Sequence, residues 1–225
     1  MNELLRDYDK FMNLSYYIKR KSCMNKFNKF FKRVFDILAS GIGIIVLSPI
    51  LIVIAIAIKC DSNGEILFKQ KRVGMNEKTF NIFKFRTMVT DAEKLGKQIT
   101  VGNDCRITKI GSFLRKYKLD ELPQLFNVLL GDMSLVGPRP EVPRYVELYT
   151  DEQREVFKVR PGITDLASLK YSDENDILAN IENPEEHYIN VIMQDKLELN
   201  LEYIKKSNVF FDIYIIIKTI LKCIH

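Results

Sequence analysis

Two adjacent acidic residues in the segment LDELPQ (residues 119–124) have the types and spacing that phosphate chemistry requires. A carboxylate at a helix N-terminus is kept ionised by the helix dipole and the free N–H groups, and the same groups attract a phosphate. An ionised Asp120 beside a phosphate is what an acyl-phosphate nucleophile needs. The alternative is structural: Asp120 is a favoured helix N-cap, with Pro123 in the first turn, where its missing N–H costs little. Both interpretations stay open at this point.

Glu121 gives the acidic pair a second role, as ligands of a hard cation. Phosphates and carboxylates together normally recruit Mg²⁺, which binds oxygen, so Asp120 and Glu121 are the predicted metal ligands. A zinc site is not predicted, because the four cysteines are scattered without C-x-x-C spacing and only two histidines accompany them. These residues are Cys23, Cys60, Cys105, Cys223, His187 and His225.

Five basic residues are candidates for holding substrate phosphates. Lys84 and Arg86 alternate with apolar residues, which places them on one face of a predicted strand, roughly 7 Å apart. Arg115 precedes the acidic pair, Arg139 stands between two prolines, and Arg160 precedes a Pro-Gly pair. The planar fork of arginine suits bidentate phosphate recognition. Each residue alone fits a surface ion pair or a solvated strand face, but several around one acidic pair indicate a diphosphate ligand.

The composition limits the class of protein and of partner. The chain has 225 residues, of which 47% are hydrophobic and 28% charged. These values exclude a disordered chain and a polytopic membrane protein, and they fit one domain fused to one anchor. The net charge of +5 suits a phosphate-rich partner. Nucleic acid is not predicted, because 29 acidic residues are interspersed among the 34 basic ones. Scattered cysteines indicate reduced thiols in a cytosolic compartment.

The anchor is an uncharged run at 37–58, long enough to cross a bilayer, which needs ~20 apolar residues. Basic residues flank it on both sides, and positive residues stay cytoplasmic. Ser48-Pro49 lies in the middle, where the proline removes a backbone donor and the serine hydroxyl can satisfy a freed backbone group. A kinked spanning helix explains the proline alone. With both flanks basic, we predict a re-entrant helix-break-helix that enters and leaves the same leaflet.

The rest of the chain is predicted to be an α/β domain, mostly helical with a small β-hairpin. The hairpin strands are predicted at 66–73 and 79–86, joined by a turn at 74–77. The predicted helices are 91–97, 110–117, 120–131, 142–158 and 183–206. The loops at 137–140 and 160–162 contain proline and glycine and are predicted to be rigid.

The tail at 209–224 is predicted to be an amphipathic helix. Its polar residues, Asp212, Lys218, Thr219 and Lys222, share one arc of the helix, and the remainder is strongly apolar. It is therefore either a core helix or a helix in the membrane interface. The predicted organisation is a basic segment at 1–33, a re-entrant membrane helix at 34–59 and a catalytic domain at 60–225.

Four segments, in this order, resemble the bacterial sugar transferase family of monotopic polyprenol-phosphate phosphoglycosyltransferases. They are KRVFDILASGIGIIVLSPI, FKFRTM, LDELPQLFNVLLGDMSLVGPRPE and RPGIT, and the resemblance covers roughly residues 30–222. It implies a membrane helix broken at Ser48-Pro49 and a small α/β domain with helices at the membrane interface. The short chain resembles the minimal form of the family.

The resemblance also implies roles for individual residues. Asp120 matches the family's nucleophile and Glu121 its dyad partner, while Arg115 and Arg139 match basic residues of the phosphate site. Lys84 and Arg86 belong to the matching FKFRTM block. There are two departures from the family's usual pattern. Tyr117-Lys118 replaces a small polar pair, and DLAS at 165–168 stands where Gly-x-Ala-Gln is frequent.

The activity that the resemblance implies is transfer of a sugar phosphate from a UDP-sugar to a polyprenyl phosphate. UMP is released, in the initiating step of surface-glycan synthesis at the cytoplasmic face of the bacterial inner membrane. The expected partners are the two substrates and membrane lipid, while the sugar and any homo-oligomer stay open. Two alternatives remain: a non-enzymatic membrane-anchored binding module, and a membrane-bound nucleotide-sugar hydrolase with water as acceptor.

Overall fold

The computed structural model describes residues 26–90, 92 and 104–224. Its α-helices are α1 (Lys26–Asp61), α2 (Lys109–Lys116), α3 (Gln124–Leu130), α4 (Pro143–Val146), α5 (Leu166–Lys170), α6 (Glu174–Ala179), α7 (Pro184–His187), α8 (Met193–Lys206) and α9 (Val209–Ile224). Its strands are β1 (Leu67–Val73), β2 (Thr79–Phe85), β3 (Ser134–Val136) and β4 (Gly162–Thr164). The helix predicted at 91–97 and most of the basic segment 1–33 lie outside the described residues.

Helix α1 contains the predicted membrane segment and runs for 36 residues with Pro49 inside it. By length and composition it is long and apolar enough to cross a membrane. The Ser48 hydroxyl donates a hydrogen bond to the carbonyl of Ile45 at 2.8 Å, as expected of a serine beside a helix proline. The helix continues through Pro49, so the expected break into two helices is not seen, and the re-entrant path stays a prediction.

The predicted hairpin is confirmed to within one residue at its ends. β1 and β2 pair antiparallel, with Leu67 opposite Phe85 and Val73 opposite Thr79. Ile82 and Phe85 are both buried but lie on opposite faces of β2, because successive side chains of a strand alternate between its two faces. Lys84 shares a face with Ile82 and reaches the site described below.

A second sheet, which the sequence analysis missed, joins the two proline-containing loops. β3 and β4 pair in parallel, with Ser134 opposite Gly162. The Gly137 N–H donates to Thr164 at 3.1 Å, and the Gly162 N–H donates to Pro138 at 3.0 Å. A Cβ atom on Gly162 would lie 2.1 Å from the backbone nitrogen of Gly137, so the two loops touch backbone to backbone and require glycine.

Helix α3 connects the hairpin to α1. The Asn127 side chain accepts a hydrogen bond from the N–H of Phe83 at 2.9 Å and donates to the carbonyl of Asn81 at 2.8 Å. Gly131 is the C-cap of α3 and lies in the left-handed region, at a φ of 98°, so the helix ends where the prediction of 120–131 placed its end. On its other side α3 packs against α1, where a Cβ on Gly43 would lie 3.5 Å from Leu125.

The prediction of a single helix at 142–158 is wrong. The segment forms the short helix α4 and a separate 3₁₀ segment, Gln153–Lys158. Between them Thr150 begins a turn, where its hydroxyl and its N–H both bond to Gln153. Both helical pieces bury apolar side chains in one cluster with α8. The hydrophobic core therefore forms here without one continuous helix. The buried residues of the two pieces are Tyr145, Val146, Val156 and Phe157.

The predicted helix at 183–206 is confirmed as an unbroken helical stretch, formed by α7, a π-helical segment and α8. The tail helix α9 is also confirmed, but most of its polar arc faces inward. Asp212 is 1% exposed and pairs with Lys32, and Thr219 and Lys222 bond to residues of the domain interior. Its outward face is apolar and consists of Phe210, Ile213, Ile217, Ile220 and Leu221.

Candidate active site

The acidic pair lies in a 3₁₀ turn, Leu119–Glu121, between α2 and α3. The turn is entered through Lys118, which takes the left-handed conformation at a φ of 55°. Asp120 is therefore not a helix N-cap, and Pro123 is the residue that directly precedes α3. The prediction that this helix begins at Asp120 is wrong, because α3 begins at Gln124. The 3₁₀ turn before it presents both acidic side chains to neighbouring strands and loops.

Glu121 is held by two cations. Its carboxylate receives the ammonium of Lys84 at 2.8 Å and both terminal nitrogens of Arg139, one of them at 3.2 Å. Burial alone would raise the pKa of Glu121, but Arg139 and Lys84 hold that pKa well below its usual range. In turn Glu121 raises the pKa of Arg139. The side chain is thus ionised and fixed in position.

Asp120 differs from its neighbour in this respect. It is 8% exposed, and among the described residues none donates a hydrogen bond to its carboxylate. Burial, and then the charge of Glu121, raise the pKa of Asp120, while Lys84 and Arg115 oppose the rise. The expectation that a helix dipole keeps Asp120 ionised therefore finds no support. Lys84 and Arg115 favour the charged form without reversing the rise in the pKa of Asp120.

Three of the five predicted phosphate-binding residues lie around this pair. Lys84 reaches it from β2, and burial lowers the pKa of Lys84 against the opposing effect of Glu121. Arg115 reaches it from α2, where its Nε donates to the hydroxyl of Thr87 at 2.9 Å. Arg139 reaches it from the loop after β3. The three cationic side chains outnumber the two carboxylates, so the site has a net positive charge that suits a diphosphate ligand.

Arg86 is directed elsewhere. Its guanidinium donates to the carbonyl of Ser62 at 2.6 Å and to that of Asn63 at 2.9 Å, just after α1 ends. A Cβ on Gly64 would lie 2.0 Å from this guanidinium, so the loop closes tightly around it. The expectation that Arg86 shares a substrate-facing strand surface with Lys84 is not met, because β2 ends at Phe85. Arg86 ties the end of α1 to the hairpin.

Arg160 also lies apart from the pair. Its Nε donates to the carbonyl of Gly131 at 2.9 Å, at the C-terminal end of α3. It lines a cavity together with Lys29 and Arg33 of α1. No described contact joins Arg160 to Asp120 or Glu121, so the structure does not bring it into the predicted phosphate site.

Asp165 is a site residue whose role the sequence analysis missed. It is fully buried, accepts from the Ser168 N–H at 2.6 Å as the N-cap of α5, and accepts from the backbone N–H of Arg139 at 3.3 Å. The Asp-x-x-Ser spacing is a capping signal that was available in the sequence. Its second contact fixes the backbone from which Arg139 reaches Glu121.

The comparison with protein families decides what this site belongs to. A family model described as bacterial sugar transferase matches residues 27–225. The chain belongs to the bacterial sugar transferase family.

Curated relatives of this sugar transferase differ in the sugar that their names give. It is 41% identical over 206 residues to a UDP-glucose:undecaprenyl-phosphate glucose-1-phosphate transferase of Klebsiella pneumoniae, covering 89% of this chain and 42% of the relative. It is 38% identical over 199 residues to a UDP-N-acetylgalactosamine-undecaprenyl-phosphate N-acetylgalactosaminephosphotransferase of Aeromonas hydrophila, covering 85% of this chain and 43% of the relative. The chain thus spans about two-fifths of the length of these relatives.

A shorter relative matches more of its own length. The sugar transferase is 47% identical over 147 residues to an exopolysaccharide production protein, PSS, of Rhizobium leguminosarum bv. phaseoli, covering 62% of this chain and 73% of the relative. All three similarities include a large part of the present chain.

Proposed function

We propose that this sugar transferase moves a sugar 1-phosphate from a UDP-sugar to undecaprenyl or another polyprenyl phosphate and releases UMP, as the initiating step of a surface glycan. The observation that carries the proposal is the asymmetry of the acidic pair. Glu121 is fixed by Lys84 and Arg139, while the Asp120 carboxylate receives no hydrogen bond from the described residues. A fixed partner beside a free carboxylate suits covalent catalysis. The named activities of the relatives support the substrates.

The proposed reaction proceeds in two displacements. A carboxylate oxygen of Asp120 attacks the phosphorus of the phosphate attached to the sugar, and the bond to the UMP oxygen breaks. Lys84, Arg115 and Arg139 offset the charge on the phosphate oxygens during this step. An oxygen of the polyprenyl phosphate then attacks the same phosphorus, the acyl-phosphate bond breaks, and Asp120 is regenerated. Because the transfer is divided into two displacements, the two anionic substrates do not have to react directly with each other.

The acidic pair also fits Mg²⁺. Two adjacent carboxylates supply hard oxygen ligands, and the donor diphosphate would supply others. Asp120 and Glu121 are the residues that would hold the ion. The described residues include no cluster of three or more histidine, cysteine or acidic side chains, so the ion would depend on substrate oxygens for the rest of its coordination. When bound, it would neutralise charge on the departing UMP.

The contacts of α1 support a monotopic arrangement with the catalytic domain on the cytoplasmic face. Asp36 bonds to the backbone of Leu135, and Ile54 and Ile58 pack into the cluster that contains Leu114. The domain therefore touches α1 at positions spread over about 30 Å or more of helix, at 1.5 Å per residue, which is comparable to the hydrocarbon thickness. A helix that crossed the bilayer would not present both ends to one cytoplasmic domain.

The outward faces of the short helices support the same arrangement. On α9 the exposed residues other than Lys222 are apolar, with Phe210 80% and Ile217 52% exposed, while Asp212 is buried. Leu130 at the end of α3 is 69% exposed. An apolar outward face with the polar residues inside is the reverse of a water-facing helix, and it suits a helix at the membrane interface.

The covalent route is tested with the full chain, Mg²⁺ and a panel of UDP-sugars without acceptor. We expect UMP release of no more than one equivalent per enzyme, and a mass increase of one sugar phosphate on the peptide containing Asp120. Asp120→Asn should abolish both. Its unfolding free energy should change by less than ~1 kcal/mol, or about 2–4 °C in melting temperature, because no described hydrogen bond is lost. Asp195→Asn on α8, which removes a carboxylate from an exposed ion pair, is the matched control.

Other outcomes would replace the proposal. If Asp120→Asn retained turnover, or if UMP appeared only with both substrates bound, a ternary-complex transfer would be indicated. Repeated UMP release without acceptor and without labelled lipid product would indicate a hydrolase. No UMP release from any donor, in a well-folded protein, would leave a binding module.

A further inference from the structure

A second basic site lies away from the acidic pair, at the start of the membrane helix. It is a cavity, open to solvent, between α1, the beginning of β3 and the segment before β4. Asp36 is the only carboxylate among the described residues that line it. The basic residues lining it are Lys29, Lys32, Arg33, Lys158 and Arg160.

The charges of this cavity are only partly balanced. Lys32 is buried and paired with Asp212, and Lys158 pairs with Glu155. Lys29 is exposed at the cavity, with no ion pair to a described residue. Together with Arg33 and Arg160 it leaves a positive excess over Asp36.

The two arginines converge on one point. Arg160 donates its Nε to the carbonyl of Gly131 at 2.9 Å, and a Cβ on Gly131 would lie 3.5 Å from the Nη2 of Arg33. Arg33 also donates to the carbonyl of Met133 at 3.3 Å. These bonds cap the end of α3, but a guanidinium has five N–H donors, so each arginine keeps several for a ligand. Two converging guanidinium groups are suited to a phosphate.

Apolar surface borders the basic cavity. Ile37, one helical turn beyond Arg33, is 41% exposed, and Phe30 is 65% exposed. Leu130, adjacent to Gly131, is 69% exposed. A ligand that places its phosphate on the arginines would therefore have apolar side chains beside it for a hydrocarbon chain.

We propose that this cavity binds the phosphate of an anionic phospholipid from the surrounding leaflet. The cavity lies apart from the acidic pair, because no described contact connects its arginines with Asp120 or Glu121. A phospholipid is favoured over free phosphate because the cationic groups and the exposed apolar side chains adjoin. The bound lipid would bridge α1 and the end of α3, and so hold the membrane helix against the domain.

The test uses the full chain in nanodiscs of phosphatidylcholine, with and without phosphatidylglycerol. We expect one phosphatidylglycerol molecule to be retained in native mass spectra, and the melting temperature to rise by at least about 3 °C with this lipid. Lys29→Gln and Arg160→Gln should lose both effects. The lipid-dependent difference is compared within each variant, so the lost cap at Gly131 does not affect the result.

Lys109→Gln is the control, since it removes the same charge from an exposed position on α2. If Lys109→Gln lost lipid retention and thermal stabilisation as fully as the cavity variants, the lipid would be attracted to the surface in general. An unchanged lipid effect in Lys29→Gln and Arg160→Gln would mean the same, and either result would overturn the proposal. Inorganic phosphate that produced the same stabilisation in phosphatidylcholine alone would show that the lipid is not the ligand. A raised KM for polyprenyl phosphate in both cavity variants, with no change in retained phosphatidylglycerol, would assign the cavity to the acceptor and also overturn the proposal.

Discussion

Both terminal nitrogens of the Arg139 guanidinium donate hydrogen bonds to the Glu121 carboxylate, although the two residues are 18 positions apart in the chain. The backbone of Arg139 is fixed separately by Asp165. The arginine is therefore held at both ends, in a defined position beside Glu121.

The first prediction concerns this fork. Arg139→Lys keeps the charge but loses the planar bidentate geometry. We expect turnover to fall at least tenfold, which corresponds to ~1.4 kcal/mol, as measured by steady-state UMP release with acceptor present. Arg144→Lys, at an exposed ion pair with Glu185, is the control and should retain activity. Near-normal turnover in Arg139→Lys would mean that the charge alone suffices.

The second prediction concerns the contact between the two proline-containing loops. In Gly162→Ala the new Cβ would lie 2.1 Å from the nitrogen of Gly137, so the loop that carries Arg139 must shift. We expect a loss of about 1–3 kcal/mol in unfolding free energy, with a fall in turnover. Gly41→Ala in α1 is the matched control, because its Cβ would meet Leu129 at an ordinary 4.0 Å. A Gly162→Ala protein as stable and active as the control would contradict the backbone contact.

The third prediction concerns the buried ion pair between Lys32 and Asp212. Asp212→Asn leaves the Lys32 charge buried without a counter-charge, and we expect a loss of about 3–5 kcal/mol in unfolding free energy. The double variant Lys32→Met, Asp212→Leu removes both charges and should recover most of that loss. A double-mutant cycle that includes Lys32→Met and Asp212→Leu as single variants measures the coupling by thermal unfolding. Additive effects of the single changes would show that the pair is not coupled.

The fourth prediction concerns topology. Residues near position 5 and the catalytic domain should lie on the same cytoplasmic face, because both flanks of the apolar run are basic. A cysteine near residue 5 and the exposed Cys105 can be compared in intact cells, with the other cysteines replaced. Neither should react with an impermeant reagent. Labelling of the N-terminal cysteine would rule out the re-entrant path, whereas Pro49→Ala should increase that labelling by favouring a straight spanning helix.

Local sequence patterns predicted the elements whose structure depends on neighbouring residues. Alternating residues defined β1 and β2, and apolar residues at helical spacing defined α2. β3 and β4 were missed because three-residue strands have no measurable period, and because they pair across more than twenty residues of chain. The same limit applies to Arg86 and Arg160. Their residue type indicates a phosphate or a carboxylate, yet both bond to backbone carbonyls that only the folded chain brings near.

The acidic pair shows a similar division. Its position in the sequence identified Asp120 and Glu121 as candidates, together with three of the cations around them. The different states of the two carboxylates could not be predicted, because they depend on Lys84 from one strand and Arg139 from a distant loop. The orientation of α9 was left open for a related reason: a helical wheel shows which residues share a face, but not which face meets the domain.

Removing α1 would not leave an intact domain. Lys32 and Asp36 provide internal hydrogen bonds to Val136 and Leu135, and Ile54 and Ile58 are part of the hydrophobic core. A chain that began after Asp61 would leave those partners unsatisfied and open a cavity beside the hairpin. A water-soluble form would instead have to keep the inward-facing residues of α1 and replace the outward-facing apolar ones.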